Sequence, residues 1–237
     1  METRETVLPK HRFLINTQLC PDFEPQMIDP YYWTNRDRIF KTSGGRGTAY
    51  FIDAGENRRW VLRHYYRGGL MARIMKDGYF YPGRSRCRPY CEFRLLEKLL
   101  DLGLPVPEPV VAHVNLNFYP VAHYDLISRY IENSRDLATL LKERALTEDE
   151  IQKLGATLAL LGKHNVYHHD LNIRNILLDD DGKFWLIDFD KGEISGGHFD
   201  EMMSRLRRSF RKEKSIQGDS LLWQDGDFDR ILKAAVS

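Results

Sequence analysis

The chain has 237 residues but few cysteines, no long apolar run and almost no net charge. Its three cysteines are odd in number and lack metal-ligand spacing, which argues against both a disulfide framework and a zinc site. No apolar run approaches the roughly 20 residues that a bilayer-spanning helix needs, and the polar first residues do not form a secretion signal. We therefore expect a protein of a reducing cytosolic compartment that neither spans a membrane nor is secreted by this route.

The segment 168–190 carries the clearest chemical signal. Two apolar, strand-like runs at 176–178 and 184–187 flank a turn of Asp and Gly residues at 179–182. Acidic or amide residues lie just outside both runs, on the side away from the turn. A hairpin would therefore bring them together at its open end. An ordinary hairpin with turn-forming Asp and Asn residues is the alternative, but it explains only the residues inside the turn.

Three of those outer residues are Asp170, Asn175 and Asp188. The spacing H-x-D-x-x-x-x-N followed by D-F is that of the protein-kinase catalytic and metal-binding loops. Phosphoryl transfer from Mg²⁺-bound ATP needs a carboxylate to orient the substrate hydroxyl and accept its proton, here Asp170. It also needs an amide oxygen and a second carboxylate to hold Mg²⁺, here Asn175 and Asp188.

Upstream, three strand-like segments at 38–42, 48–53 and 59–65 predict a small antiparallel sheet. The glycine-rich turn between the first two strands has a phosphate-binding interpretation, because Gly45 and Gly47 would let the backbone approach ATP phosphates closely. Thr48 could add a hydroxyl donor. Taken alone, this turn is more typical of a simple hairpin, and Thr48 is equally typical of a solvent-facing strand residue.

Two helices are predicted from apolar spacing. The first covers about 91–102 and ends at Gly103. The second opens at a capping box formed by Thr147 and Glu150, and would support the 168–175 loop. The adjacent His168 and His169 suit a packed scaffold for that loop better than a zinc site, because no third ligand is suitably spaced.

The order of these features resembles the protein-kinase-like fold. More narrowly, the chain resembles the bacterial 3-deoxy-D-manno-octulosonic acid (Kdo) kinases, a lipopolysaccharide kinase family. The resemblance covers most of the chain and rests on these motifs: G-R-G-T at 45–48, V-L-R-H-Y with R-G-G-L within 61–70, E-F-x-L-L at 92–96, G-L-P-V-P at 103–107, H-H-D-L-N at 168–172 and L-I-D-F-D-K at 186–191.

The resemblance implies an α+β, bilobal fold in one catalytic domain. An antiparallel N-lobe with an N-terminal extension would occupy about 1–124, and a compact, truncated, mainly helical C-lobe about 125–237. The implied reaction is ATP-dependent phosphorylation of the 4-hydroxyl of the Kdo sugar on lipid A, with Mg²⁺ as cofactor. The implied location is the cytoplasmic side of the inner membrane, as a peripheral protein.

The resemblance also assigns residues that bind the nucleotide. Gly45, Arg46, Gly47 and Thr48 occupy the phosphate-binding turn. Arg63 lies where protein kinases carry the strand lysine of V-A-I-K, and Glu92 lies where they carry its helix partner. Because arginine is a planar, permanently charged fork, it is not equivalent to lysine, and a surface strand arginine remains the alternative.

Two departures from protein kinases bear on the acceptor. Asp190 replaces the glycine that follows the D-F pair, where it suits either a ligand role or a turn cap. No A-P-E-like segment follows, and only 47 residues remain after Asp190. Both departures favour a small-molecule or lipid-sugar acceptor. A compact atypical protein kinase of the RIO kind is the alternative, and a non-catalytic ATP-binding scaffold is the third.

Charge placement suggests an anionic surface as partner. Residues 63–94 hold eight Arg or Lys residues against two acids, a local balance of +6. Aromatic residues interleave with them: Tyr79, Phe80, Tyr81 and Tyr90. A second basic cluster shares a predicted helix: Arg205, Arg207, Arg208, Arg211, Lys212 and Lys214. Both suit binding to the anionic inner-membrane surface, although solvated basic faces are the alternative. No nucleic-acid module supports RNA binding.

Overall fold

The computed structural model describes residues 2–43, 48–65, 78–83 and 86–236. The chain divides into two compact units. The first comprises Met1–Glu97 and Glu108–Tyr130, and the second comprises Lys98–Pro107 and Ile131–Ser237. The boundary between the units therefore lies after Tyr130, whereas we expected it near residue 124. The short segment Lys98–Pro107 also belongs to the second unit.

An eight-stranded antiparallel sheet dominates the first unit. Its strands are β1 (Thr3–Leu8), β2 (His11–Asn16), β3 (Ile39–Ser43), β4 (Ala49–Asp53), β5 (Arg59–His64), β6 (Tyr79–Phe80), β7 (Pro109–Phe118) and β8 (Val121–Arg129). The strand order is β1-β2-β7-β8-β5-β4-β3, with β6 paired to β8. The three predicted strands are confirmed as β3, β4 and β5. The sheet is larger than predicted because the N-terminal hairpin and the β7–β8 hairpin complete it.

Each face of the sheet is covered by a helical segment. On one face, Trp60 and Leu62 of β5 join a buried cluster with Trp33 of α1 (Pro30–Thr34). Arg63, whose side chain lies on the face of β5 opposite to that of Leu62, pairs with Glu92 of α2 (Arg88–Asp101), so this helix lies on the other face. Helix α2 begins three residues earlier than predicted. It ends as predicted at Gly103, whose positive φ of 78° suits glycine.

A row of polar side chains crosses four neighbouring strands of this sheet. The rings of His11 on β2 and His113 on β7 are joined by a 2.9 Å hydrogen bond between Nδ1 and Nε2. Asp125 on β8 then accepts from His113 at 2.8 Å and from His64 on β5 at 2.7 Å. Because His113 and Asp125 are buried, these bonds satisfy polar groups that water reaches poorly.

The second unit is mainly helical, as predicted. Its helices are α3 (Leu137–Glu143), α4 (Glu148–Lys163), α5 (Phe199–Gln217) and α6 (Asp225–Val236). Its strands are β9 (Ser134–Asp136), β10 (Val166–Tyr167), β11 (Ile176–Asp179), β12 (Phe184–Leu186) and β13 (Glu193–Ile194). They form the sheets β12-β11-β9 and β10-β13. The α+β class is therefore confirmed.

Helix α4 is held by a cap at its start and by close packing against α6. The predicted capping box is present, because Thr147 and Glu150 bond reciprocally at its start. A Cβ added at Gly155 would lie 2.4 Å from the Cβ of Ala234, so glycine permits the close approach of α4 and α6. In the part of the chain that the structure describes, no helix is both long and apolar enough to cross a membrane.

Candidate active site

The β11–β12 hairpin brings the predicted trio to one end. Ile176 opposes Leu186 in its register, as the two predicted strand runs require. Just beyond this pair, the backbone N–H of Ile187 donates to the carbonyl of Asn175 at 3.0 Å. The side chain of Asn175 in turn donates to the backbone carbonyl of Asp170 at 2.9 Å. Asp188 follows Ile187 directly, so all three residues of the trio meet at this end.

The backbone of Asp170 is fixed while the residue itself is exposed. Its carbonyl accepts a second bond from Nδ2 of Asn172 at 2.9 Å. Asn172 also caps the following 3₁₀ turn, since its Oδ1 accepts from the N–H of Arg174 at 2.9 Å. Asn175 uses its amide nitrogen for Asp170, so its Oδ1 is the atom suited to a metal ion.

The backbone turns sharply at Asp188. Its φ of 66° lies in the left-handed region, which Asp tolerates better than most residues. Phe189 is fully buried, and its carbonyl accepts from the N–H of Gly192 at 2.8 Å to close a turn. Asp190 lies within this turn and is half-buried. The turn thus anchors the chain on the far side of Asp188.

His168 serves as a buried scaffold for this end of the hairpin. Its Nε2 donates to the carbonyl of Ile187 at 2.9 Å, and its ring packs against Phe189 with centroids 4.5 Å apart. Burial lowers the pKa of His168, which favours the neutral ring. Its Nδ1 has no hydrogen-bond partner among the described residues. The predicted scaffold role of this histidine therefore agrees with the geometry.

Helix α5 holds the 168–175 loop through three residues spaced four apart: Arg205, Ser209 and Glu213. Arg205 donates to the carbonyl of His169, as well as to the phenol oxygen of Tyr167 at 3.1 Å. The Oγ of Ser209 accepts from the N–H of Ile173 at 3.0 Å. Buried Glu213 pairs with Arg174 at 2.8 Å. The spacing places these three anchors on one face of the helix.

Sequence reasoning missed these anchors because it counted Arg205 within the second basic cluster. The one signal available in the sequence was the i,i+4 spacing of Glu201 and Arg205. The structure shows this ion pair, with 2.6 Å between a guanidinium nitrogen of Arg205 and Oε1 of Glu201. Other members of the cluster also have partners inside the second unit. Arg207 pairs with Asp229, and Arg211 with Asp225 at 3.0 Å. Much of this cluster is therefore neutralised by neighbouring acids.

In the first unit, the predicted partners Arg63 and Glu92 form an ion pair. Glu92 lies on α2 and is buried, whereas the side chain of Arg63 is 27% exposed. The hydroxyl of Tyr65 donates to the second carboxylate oxygen of Glu92. Since both oxygens of the buried carboxylate have partners, Arg63 is a fixed charge rather than a free surface arginine.

The glycine turn is only partly within the described residues. Gly45, Arg46 and Gly47 lie outside them, whereas Thr48 immediately precedes β4 and is half-buried. Within the described ranges, no three His, Cys, Asp or Glu side chains cluster as a metal site. The predicted ligand pair, one amide oxygen and one carboxylate, fits an ion whose remaining ligands come from water and nucleotide phosphates, as is usual for Mg²⁺.

Comparison with known proteins identifies one matching family model and relatives that share one name. Residues 31–233 match the model of the lipopolysaccharide kinase (Kdo/WaaP) family. A 3-deoxy-D-manno-octulosonic acid kinase of Mannheimia succiniciproducens is 40% identical over 225 residues, which cover 91% of this chain and 94% of that protein. One from Vibrio vulnificus is 38% identical over 226 residues, covering 91% and 93%.

A solved structure described as WaaP in complex with acyl carrier protein is also similar. Its TM-score is 0.55 at 11% identity, covering 88% of this chain and 86% of that one. At this identity the likeness concerns the fold alone. It confirms the predicted kinase-like fold.

Proposed function

Because the chain belongs to the lipopolysaccharide kinase (Kdo/WaaP) family, we propose that it phosphorylates the 4-hydroxyl of the Kdo sugar on lipid A. ATP would be the phosphoryl donor and Mg²⁺ the cofactor. The observation that carries the proposal is the trio Asp170, Asn175 and Asp188, gathered at one end of the hairpin. The relatives named 3-deoxy-D-manno-octulosonic acid kinase are similar over about nine tenths of the chain, which supports the proposal.

Asp170 is the proposed base. Its backbone carbonyl is held by two asparagine side chains while the residue remains exposed, so the carboxylate can meet an incoming sugar hydroxyl. It would orient that hydroxyl toward the γ-phosphorus and accept its proton as the new P–O bond forms and the bond to ADP breaks. A general base of this kind contributes about 10² to 10⁴-fold to the rate.

Asn175 and Asp188 are the proposed metal ligands. The amide oxygen of Asn175 and the carboxylate of Asp188 are hard oxygen donors, which Mg²⁺ prefers. When bound, the ion would neutralise charge that develops on the phosphates. The hydrogen bond from Ile187 to Asn175 keeps the two ligands at a fixed separation along the backbone.

Arg63 and residues 45–48 are the proposed contacts to ATP phosphates. Pairing with Glu92 restricts the guanidinium of Arg63, so less conformational freedom is lost when it binds an anion. In the turn, Gly45 and Gly47 would allow close backbone approach, with Arg46 and Thr48 adding a charge and a hydroxyl. These roles rest on the family resemblance.

The names of the relatives support a sugar acceptor over a protein, because both are called 3-deoxy-D-manno-octulosonic acid kinase. A compact protein kinase of the RIO kind is the alternative. Helix α5 holds the 168–175 loop, and α6 packs closely on α4 at Gly155. Peripheral attachment to the cytoplasmic face of the inner membrane would bring the enzyme to its lipid-linked acceptor.

Labelled ATP tests this proposal. The protein is incubated with radiolabelled ATP and Mg²⁺ in three parallel reactions, containing Kdo-lipid A, a protein mixture or no acceptor. We expect label in the glycolipid alone. Label in the protein mixture would favour a protein kinase, and no transfer in any reaction would favour the non-catalytic scaffold. An Asp188→Asn variant should need more Mg²⁺ and ATP for the same rate.

A further inference from the structure

One end of the large sheet exposes aromatic rings beside basic residues. It consists of the β1–β2 turn from Leu8 to His11, strand β6 and the β7–β8 turn from Phe118 to Val121, and is here called the sheet tip. The three parts are bonded together. The N–H of Leu116 donates to the carbonyl of Lys10 at 2.8 Å, and the N–H of Tyr81 to the carbonyl of Pro120 at 2.9 Å.

Two large rings on the sheet tip face solvent. Phe80 is 70% exposed and Tyr119 is 73% exposed. Phe80 stands opposite Val121 in the pairing of β6 with β8, so both side chains lie on the same face of the sheet. Val7, beside the β1–β2 turn, is a further exposed apolar residue. Such grouping of exposed apolar side chains marks an interaction site more often than scattered single residues do.

The charge around these rings has one sign. The sheet tip and the strand residues next to it, in segments 7–16, 78–83 and 109–124, contain no Asp or Glu, and the first segment carries Lys10 and Arg12. The nearest acids along the strands are Glu5 on β1 and Asp125 on β8, and Asp125 is bonded to His113 and His64. An anionic partner would therefore meet Lys10 at the tip itself, while the nearest carboxylates of these strands lie farther along them.

We propose that the sheet tip is a membrane-contact surface that binds an anionic bilayer. Phe80 and Tyr119 would enter the headgroup region, where aromatic rings are favoured, and Lys10 and Arg12 would lie near lipid phosphates. A bilayer fits better than a compact protein partner because the two rings project from turns and a two-residue strand rather than lining a groove. The choice of a bilayer rests on the proposed glycolipid acceptor.

Vesicle binding by the full chain tests the surface. Co-sedimentation is measured with vesicles of phosphatidylethanolamine and phosphatidylglycerol, and with phosphatidylcholine vesicles, at low and high salt. We expect binding to the anionic vesicles that weakens with salt. The double variant Phe80→Ser/Tyr119→Ser should bind on the order of tenfold more weakly. Lys10→Glu should weaken binding by about fivefold or more.

Matched controls come from elsewhere in the chain. Tyr31 on α1 is 75% exposed, so Tyr31→Ser removes a comparable ring away from the tip and should bind like the unmodified protein. Lys142→Glu, at an exposed position on α3, matches the charge change of Lys10→Glu. Phe80→Trp should keep binding, and its added fluorescence should shift to shorter wavelength with anionic vesicles. An unshifted emission would overturn the proposal.

Other outcomes would also overturn the surface. The proposal is wrong if the double variant Phe80→Ser/Tyr119→Ser binds anionic vesicles as strongly as Tyr31→Ser does. It is also wrong if the double variant differs from the unmodified protein only in self-association. Vesicle binding needs neither ATP nor turnover, so the two proposals fail separately. A protein that binds vesicles without phosphorylating Kdo-lipid A contradicts the proposed function alone. One that phosphorylates detergent-dispersed Kdo-lipid A but ignores vesicles contradicts the sheet tip alone.

Discussion

The 168–175 loop of the second unit and the sheet tip of the first use basic residues in opposite ways. At the loop, Arg205 and Arg174 are tied to carbonyl or carboxylate oxygens, and their charge fixes backbone geometry. At the tip, Lys10 is exposed beside exposed rings. A cluster of basic residues in a sequence can therefore either hold the backbone in place or face solvent. Which of the two occurs depends on whether carbonyl or carboxylate oxygens lie within reach of the basic side chains.

This contrast predicts that the two regions can be disabled independently. Substitutions at the loop should reduce turnover and leave vesicle binding intact. Substitutions at the tip should do the reverse. A variant that altered both properties together would remove the distinction.

The largest effect is expected at Asp170. Asp170→Asn keeps the shape of the side chain but removes the base, so kcat should fall by about 10² to 10⁴-fold. Binding of ATP, measured by calorimetry, should be nearly unchanged, and so should vesicle binding. Near-normal sugar phosphorylation by the correctly folded variant would contradict the role of Asp170.

Arg205 tests the scaffold beneath the loop. Arg205→Met removes the donors to the carbonyl of His169, and a small displacement of the loop should lower kcat by roughly tenfold to a hundredfold. The KM for ATP should change little. Arg205→Lys should recover part of the loss, because one donor remains. Arg208→Met, at an exposed position on the same helix, is the control and should leave kcat unaltered.

The sheet tip supplies the reciprocal case. Phe80→Ser/Tyr119→Ser should retain kcat within about twofold when the acceptor is dispersed in detergent, because neither ring belongs to the proposed catalytic trio. With the acceptor in anionic vesicles, the same variant should require more enzyme for the same rate. Equal loss in detergent and in vesicles would mean that the tip affects catalysis rather than attachment.

The smallest effect on activity is expected at Asp125, which ties together the polar row beside the tip. Asp125→Asn weakens two bonds to histidines, and should lower the free energy of unfolding by about 1–3 kcal/mol. Denaturant titration measures this. Glu108→Gln, at an exposed pair with Arg129, is the control and should cost less.

The pH dependence of stability has a definite sign at this residue. Burial alone would raise the pKa of Asp125, but hydrogen bonds from His113 and His64 lower it overall. The folded carboxylate therefore stabilises the protein above the pKa of about 4 that the unfolded chain has, and this stabilisation is lost as the pH falls through the lower folded value. Asp125→Asn should remove that part of the acid sensitivity.

The sequence was most informative where chemistry depends on neighbours along the chain. The hairpin, the capping box at Thr147 and the strands β3 to β5 follow local patterns of apolar residues and turns, and all were predicted. The pairing of Arg63 with Glu92 was anticipated from family resemblance. Its catalytic meaning, like that of the trio, remains a prediction.

Long-range contacts were not readable in this way. The anchors Arg205, Ser209 and Glu213 touch the loop from more than thirty positions away, as in the bond of Ser209 to Ile173. In the sequence they look like part of a basic amphipathic helix. Likewise, the pairings of β2 with β7 and of β5 with β8 join strands far apart in the sequence. The tip is assembled by the first of these pairings together with that of β6 with β8.

The position of the new phosphate tests the proposed kinase activity most directly. Kdo-lipid A is phosphorylated with the unmodified enzyme and ATP, and the product is analysed by phosphorus–proton correlation NMR. We expect a phosphorus signal coupled to the proton at carbon 4 of the Kdo sugar, absent from a parallel reaction with Asp170→Asn. A phosphate on any other group, or the same product from the variant at a normal rate, would contradict it.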